Sequence, residues 1–117
     1  MSNIKTLHEV YEELGVTRRA VQGYEKRGLV KPSARNKYGH LLYDDHAQKR
    51  IALIKDYQKL GFKLKEIESL IDAPSQVVKE ALEKQVIKLQ EERNEKDVLI
   101  HMAKDWIDAI QEKGEDD

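Results

Sequence analysis

Apolar positions recur along the chain with helical spacing, interrupted at a few points by glycine and proline. Leu7, Val10, Tyr11 and Leu14 share one helix face, and Thr6-Leu7-His8-Glu9 ahead of them has the form of a capping box. Gly15 ends this helix. Thr17 is placed to N-cap a second one running from about Arg18 to Arg27, with Val21 and Tyr24 facing inward and Gly28 closing it in the left-handed conformation. Val16 fills the turn between the two, and Leu29-Val30 leads to Pro32, which cannot continue a helix. Residues 33–43 read as a small hairpin turning at Asn36-Lys37-Tyr38-Gly39 and returning through Leu41-Leu42-Tyr43.

Asp44 or Asp45 caps a third helix with Ala47, Ile51, Ile54 and Tyr57 on its apolar face and Leu60-Gly61-Phe62 as its stop. Leu64, Ile67, Leu70 and Ile71 form one more short helix. Its cap position holds Lys63, which has no acceptor, an omission that costs about 1 kcal/mol. Asp72-Ala73-Pro74-Ser75 breaks the chain, and either Asp72 or Ser75 suits the cap of the next helical segment.

Beyond residue 75 the pattern changes. Leu82, Val86, Leu89, Leu99, Ala103, Trp106 and Ile110 make an apolar stripe with heptad-like spacing among Glu and Lys. The run Glu91-Glu92-Arg93-Asn94-Glu95-Lys96-Asp97 interrupts it, either as a polar stretch of one long helix or as a turn between two. The stripe predicts a dimer seam, because a lone exposed helix carrying it would aggregate. Trp106 suits packing at the far end of a dimer, or else the aromatic wall of a small ligand site. The expected layout is a domain over 1–72, a dimerisation helix over 73–113 and a disordered acidic tail over 114–117.

Composition sharpens this picture. Of the 117 residues 39% are apolar and 37% charged, enough for one small core plus a long solvated helix. The net charge of −1 conceals an asymmetry: residues 1–62 hold twelve Lys and Arg against seven Asp and Glu, a balance of +5, and residues 63–117 are at −6. A basic half fits nucleic-acid binding where the overall balance would argue against it. There is no cysteine, so neither a disulfide nor a thiolate metal site forms. His8, His40, His46 and His101 show no metal-ligand spacing, and neither a metal nor another cofactor is expected. No apolar run approaches a membrane span and the first residues lack a signal-peptide core, so the expectation is a cytoplasmic protein without membrane contact. Nucleophile–base patterns and phosphate-binding glycine loops are missing, which argues against an enzyme.

Two short helices joined by a tight turn, the second one basic, place a helix in the DNA major groove. On this reading Arg18, Arg19 and Gln22 face the bases or phosphates. Thr17 sits at the helix start, and Tyr24 is a core residue with its hydroxyl directed to a phosphate. Arg35, Lys37, Tyr38 and His40 at the hairpin tip press on the backbone. Lys5 and Arg50 have weaker claims.

At this point the residues match a family. Gly15-Val16-Thr17, Tyr24-Glu25-Lys26, Gly28-Leu29-Val30 with Pro32, Tyr38-Gly39, Tyr43, Leu60-Gly61-Phe62 and Glu66-Ile67 occur in an order and spacing over residues 4–71 that resembles the winged helix-turn-helix of MerR-type transcriptional regulators. The resemblance implies a mainly α fold: a winged helix-turn-helix with a small β-hairpin wing, then a long antiparallel coiled-coil dimerisation helix. It implies a homodimer on pseudo-palindromic double-stranded promoter DNA, distortion of the promoter spacer, and RNA polymerase at the same promoter. Three departures stand out: Gln22-Gly23-Tyr24 where the family has Arg-Tyr-Tyr, His40-Leu41 for Tyr-Arg, and Lys63 for a capping Ser or Thr. A DNA-architectural, excisionase-like factor and a coiled-coil protein-interaction module are the competing readings. The stripe from Leu82 to Ile110 argues against the first and the basic N-terminal half against the second. No residue pattern names an effector.

Overall fold

A computed structural model describes residues 3–115. The chain divides into two compact units at Ser75/Gln76. The first contains β1 (Lys5–Thr6), α1 (Leu7–Leu14), α2 (Arg18–Lys26), β2 (Ala34–Arg35), β3 (Leu41–Tyr43), α3 (Asp45–Lys59) and α4 (Leu64–Leu70). The second is α5, which begins at Ser75 and runs to Glu115.

Local chemistry sets most element boundaries. The Thr6 hydroxyl accepts from the Glu9 N–H at 3.3 Å while the Glu9 carboxylate accepts from the Thr6 N–H at 3.1 Å, a reciprocal capping box. Thr17 caps α2 by accepting from the Ala20 N–H at 3.0 Å. Of the two candidate caps of α3, Asp44 is used, accepting from the Ala47 N–H at 2.9 Å. Two helices end in the same double hydrogen bond around a left-handed glycine. After α2, Gly28 (φ 74°) donates to the Glu25 carbonyl and Leu29 to the Tyr24 carbonyl. After α3, Gly61 (φ 102°) donates to Gln58 and Phe62 to Tyr57, whose rings meet edge to face at 5.7 Å. At α4, Lys63 makes no side-chain cap, and the Glu66 carboxylate accepts its N–H at 3.0 Å, so half of a capping box survives.

The hairpin over 34–43 gains a third strand that the sequence pattern does not announce. The sheet order is β1-β3-β2, all antiparallel, with Lys5 opposite Tyr43 and Ala34 opposite Leu42. A two-residue strand is too short to show alternation. Its pairing seats the start of α1 beside the hairpin. Val10, Val21, Tyr24, Tyr43, Ile51, Ile54 and Ile67 are the most deeply buried side chains, so one core joins α1, α2, β3, α3 and α4.

Polar side chains tie this core together over long sequence distances. Buried Gln48 donates to the Tyr43 carbonyl at 2.8 Å and to the Asn3 carbonyl. Lys55 donates to the Leu14 and Gly15 carbonyls at 2.8 and 2.9 Å, placing a cation at the C-terminus of α1. Arg50 donates to the Leu29 carbonyl at 2.7 Å and holds both Asp72 oxygens, at 2.7 and 3.3 Å. Its role is thus to fasten α3 to the α2–β2 loop and the end of α4. The Tyr43 hydroxyl donates to the Glu25 carboxylate, and burial with that carboxylate pushes its pKa well up.

Three carboxyls are held below their ordinary values of 4.5 for Glu and 3.8 for Asp: Glu9 by the Thr6 N–H, Asp44 by the Ala47 N–H and Asp72 by the Arg50 guanidinium. A depressed folded-state pKa adds stability above the unfolded value and loses it as pH falls through the folded one. Thermal melts followed by circular dichroism therefore show a midpoint that declines as pH drops below about 4. A midpoint unchanged down to pH 2 would contradict these assignments.

In the second unit the open choice between one helix and two is resolved as one helix of 41 residues. Glu, Arg and Lys in the 91–97 run are good helix formers, and no Gly or Pro occurs between Ser75 and Lys113. The helix continues through Gly114 to Glu115, into the segment expected as a disordered tail. Asp116 and Asp117 lie outside the described residues. Among the described residues no helix is long and apolar enough to cross a membrane, and no group of three His, Asp or Glu is placed to hold a metal ion.

Candidate nucleic-acid interface

On α2, Val21 and Tyr24 point into the core. The helix therefore presents Arg19, Gln22, Gly23 and Lys26, spaced i, i+3, i+4 and i+7, on its outer face, with Arg18 at one flank. Arg18, Arg19, Gln22 and Lys26 are exposed. Among the described residues, Arg18, Arg19 and Lys26 enter no ion pair, whereas Arg27, just past the helix, is held by Glu68 at 3.0 Å. Free guanidinium and ammonium groups on one helix face are what an anion or a base edge needs. Thr17 is exposed at the N-terminus of α2, its hydroxyl engaged as the cap.

Tyr24 is a core residue, as its spacing predicts. It is 2% exposed and its hydroxyl donates to the Gln58 amide oxygen at 2.7 Å. Burial also pushes its pKa up. In the free chain the hydroxyl thus faces α3. Tyr57 is a core residue, as read from its spacing, and Tyr43 is one as well.

The wing tip is rigidified by its own backbone. The Asn36 side-chain oxygen accepts from the Tyr38 and His40 N–H groups at 2.9 and 3.0 Å, and Gly39 (φ 79°) completes the turn. Arg35 donates to the Gly39 carbonyl at 2.8 Å. Lys37 lies 5.1 Å from the Tyr38 ring centroid, and Tyr38 is 71% exposed. Its ring lies 6.2 Å from that of His40. Lys37, Tyr38 and His40 are all exposed at this tip.

Because β1 pairs with β3, the wing, the start of α1 and the start of α2 converge on one groove of about 360 Å³. Arg18 and Gln22 line it from α2, Arg35 and His40 from the wing, and Thr6 and His8 from α1. Helix and wing thus contribute to a single basic surface. His8 is a residue that the sequence pattern leaves as ordinary surface; only the β1–β3 pairing brings it here. Its imidazole also pairs with Glu12 at 3.1 Å. Lys5 pairs with Glu13.

Gly23 departs from good helix chemistry. A Cβ built there meets nothing within 4 Å, so Gly23→Ala fits without rearrangement. The expected gain is about 1 kcal/mol, read as a higher midpoint in thermal melts; a lower midpoint would show that the free protein needs glycine here.

Comparison with known proteins settles the family. Residues 5–73 match the model of the MerR HTH family regulatory proteins, and residues 48–102 match the MerR DNA-binding model. The chain belongs to the MerR family. It is 41% identical over 61 residues to the HTH-type transcriptional activator TipA of Streptomyces coelicolor, an alignment covering 52% of this chain and 24% of the relative. Among solved structures, the N-terminal part of Mta, the Bacillus subtilis multidrug transporter activator, superposes with a TM-score of 0.70 at 31% identity, covering 84% of this chain and 92% of that one. A MerR family transcriptional regulator from Bacillus cereus gives a TM-score of 0.69 at 30% identity, with 86% and 78% covered. The chain spans only about a quarter of the length of TipA and 36% of that of full-length Mta. Within this MerR fold α1 and α2 form the helix-turn-helix, β2 and β3 the wing, and α5 is the long C-terminal helix.

Proposed function

We propose that this chain is a transcriptional regulator that binds pseudo-palindromic promoter DNA as a homodimer, works in the cytoplasm and distorts the promoter spacer so that RNA polymerase is affected. The observation that carries this reading is the single basic surface formed by the outer face of α2 and the wing, with Arg18, Arg19 and Lys26 free of ion pairs among the described residues. Arg18, Arg19 and Gln22 enter the major groove, Thr17 and the N-terminus of α2 meet a phosphate, and Arg35, Lys37, Tyr38 and His40 of the wing hold the adjoining backbone.

The partner in the dimer is a second copy of α5. Val86, Leu89, Leu99, Trp106 and Ile110 are exposed large apolar side chains on this helix, Trp106 at 67%. Leu82 is half-buried and Ala103 exposed. Ile100 and Ile107, also exposed, fall in heptad register with Leu82, Val86 and Leu89 and widen the stripe. In an antiparallel pair the seam positions Leu82, Val86, Leu89, Ile100, Ala103, Ile107 and Ile110 meet those of the second copy, with the charged 91–97 run at the centre of the seam.

Hydroxyl-radical footprinting on a retained promoter fragment tests this reading. The expected pattern is protected backbone segments in two half-sites on one face of the duplex, flanking a centre of altered reactivity. A single protected segment, or uniform weak protection, would contradict it.

A further inference from the structure

The outer face of α2 is cationic and long-chained except at one point. Arg19, Gln22 and Lys26 surround Gly23, and together with Arg18 they line a shallow depression whose floor is the glycine. Beyond its two chain neighbours and the backbone of its own helix, nothing comes within 4 Å of where a Cβ would stand, so no packing partner calls for glycine here. Glycine in a helix interior is nevertheless unfavourable. The chain accepts that penalty on the face that turns outward, which points to a ligand that approaches the helix backbone itself.

The chemistry of the notch says which ligand group fits. Its floor offers no hydrogen bond: the Gly23 carbonyl accepts from the Arg27 N–H at 3.2 Å, and its N–H lies within the α2 ladder. What remains is an apolar Cα surface flanked by the Gln22 amide and by the cationic side chains of Arg19 and Lys26. In the major groove the apolar protrusion is the C5-methyl group of thymine, and the pattern that an amide reads in bidentate fashion is N6 and N7 of adenine. We infer that Gly23 is a specificity residue: the notch seats a thymine methyl while Gln22 pairs with an adenine within one base step of it. The inference rests on the proposed docking of α2 in the major groove. It predicts an A·T-containing core at the centre of each half-site, read by residues 22 and 23 together.

The test starts from selection of operator duplexes out of a randomised pool with the full chain. Each thymine of the recovered half-site is then replaced by deoxyuridine, which removes only the methyl. The wild-type chain is expected to lose about fourfold in affinity at one thymine per half-site, the size of one buried methyl group. Gly23→Ala, whose thermal melt reports that it is folded, is expected to bind the thymine and uracil operators equally at that position. Gln22→Ala is expected to lose about tenfold or more of its preference for adenine at a neighbouring pair. A half-site with no methyl-sensitive position, or a Gly23→Ala chain that keeps the wild-type thymine-to-uracil ratio, overturns the inference and leaves DNA reading by α2 intact. A pool from which no sequence is enriched overturns both.

Discussion

Replacing Arg18 and Arg19 together by alanine abolishes specific operator binding and leaves the fold and the dimer intact. Both side chains are exposed and neither forms an ion pair among the described residues, so the free protein loses no ion pair. Alanine is also the better helix former, and the Thr17 cap remains in place. The effect on DNA is large because a homodimer presents four of these guanidinium groups. At roughly 1–3 kcal/mol for each guanine read in bidentate fashion, the dimer loses at least about a thousandfold in affinity. For each arginine that contacts a phosphate, the dependence of log affinity on log salt flattens by about 0.9. Binding isotherms over a salt series measure both quantities. A double variant with wild-type affinity and an unchanged salt slope would remove α2 from the interface.

Leu89→Asp dissociates the dimer. Leu89 is an exposed apolar side chain in the middle of the stripe on α5, so the substitution disturbs no core within the chain. In a symmetric seam it removes two leucines and adds two carboxylates. Loss of the burial alone, roughly 2 kcal/mol per leucine, weakens association about a thousandfold, and the desolvated charges weaken it further. Sedimentation equilibrium is expected to return the single-chain mass of 13.6 kDa for the variant and about twice that for the wild type. Specific DNA binding falls with it, because two half-sites are no longer held at a fixed spacing. A variant that sediments as the wild type does would exclude Leu89 from the seam.

The features that could be read in the sequence are those decided within a few residues. The Thr6–Glu9 capping box, the Thr17 cap and the glycine after α2 all depend on groups three to five positions apart. The outer face of α2 follows from the same local logic, since Val21 and Tyr24 fix which way the helix turns. What was not legible depends on distant partners. The strand β1 exists only because Lys5 and Thr6 meet Tyr43 and Leu42. The Tyr24 hydroxyl finds Gln58, 34 residues away, so its role cannot be read from its own helix. Arg50 looks like any other cation until Asp72 and the Leu29 carbonyl are seen around it. The groove that includes His8 inherits this dependence on β1. The 91–97 run is ambiguous for a different reason: its pattern lacks apolar residues, yet its residue types favour helix, and propensity decides where no packing opposes it.

The family fixes a fold, and residues 22–23, residues 40–41 and Lys63 are where this chain differs from the pattern it otherwise follows. Gln22 and Gly23 exchange a cation and a ring for an amide and a notch. His40 and Leu41 exchange a wing arginine for an imidazole and an apolar residue. On the proposed reading fewer fixed charges face DNA, so phosphate affinity is either lower than is usual in the family or redistributed onto Arg18, Arg19 and Lys37.

The central claim is that this chain reads promoter DNA as a dimer. Its most direct test is a genome-fragment selection: the purified protein is mixed with sheared genomic DNA at moderate salt and the retained fragments are sequenced. The account predicts enrichment of a few fragments that share an inverted repeat within a promoter spacer. Retention of unrelated fragments in proportion to their length, or of none, would contradict it.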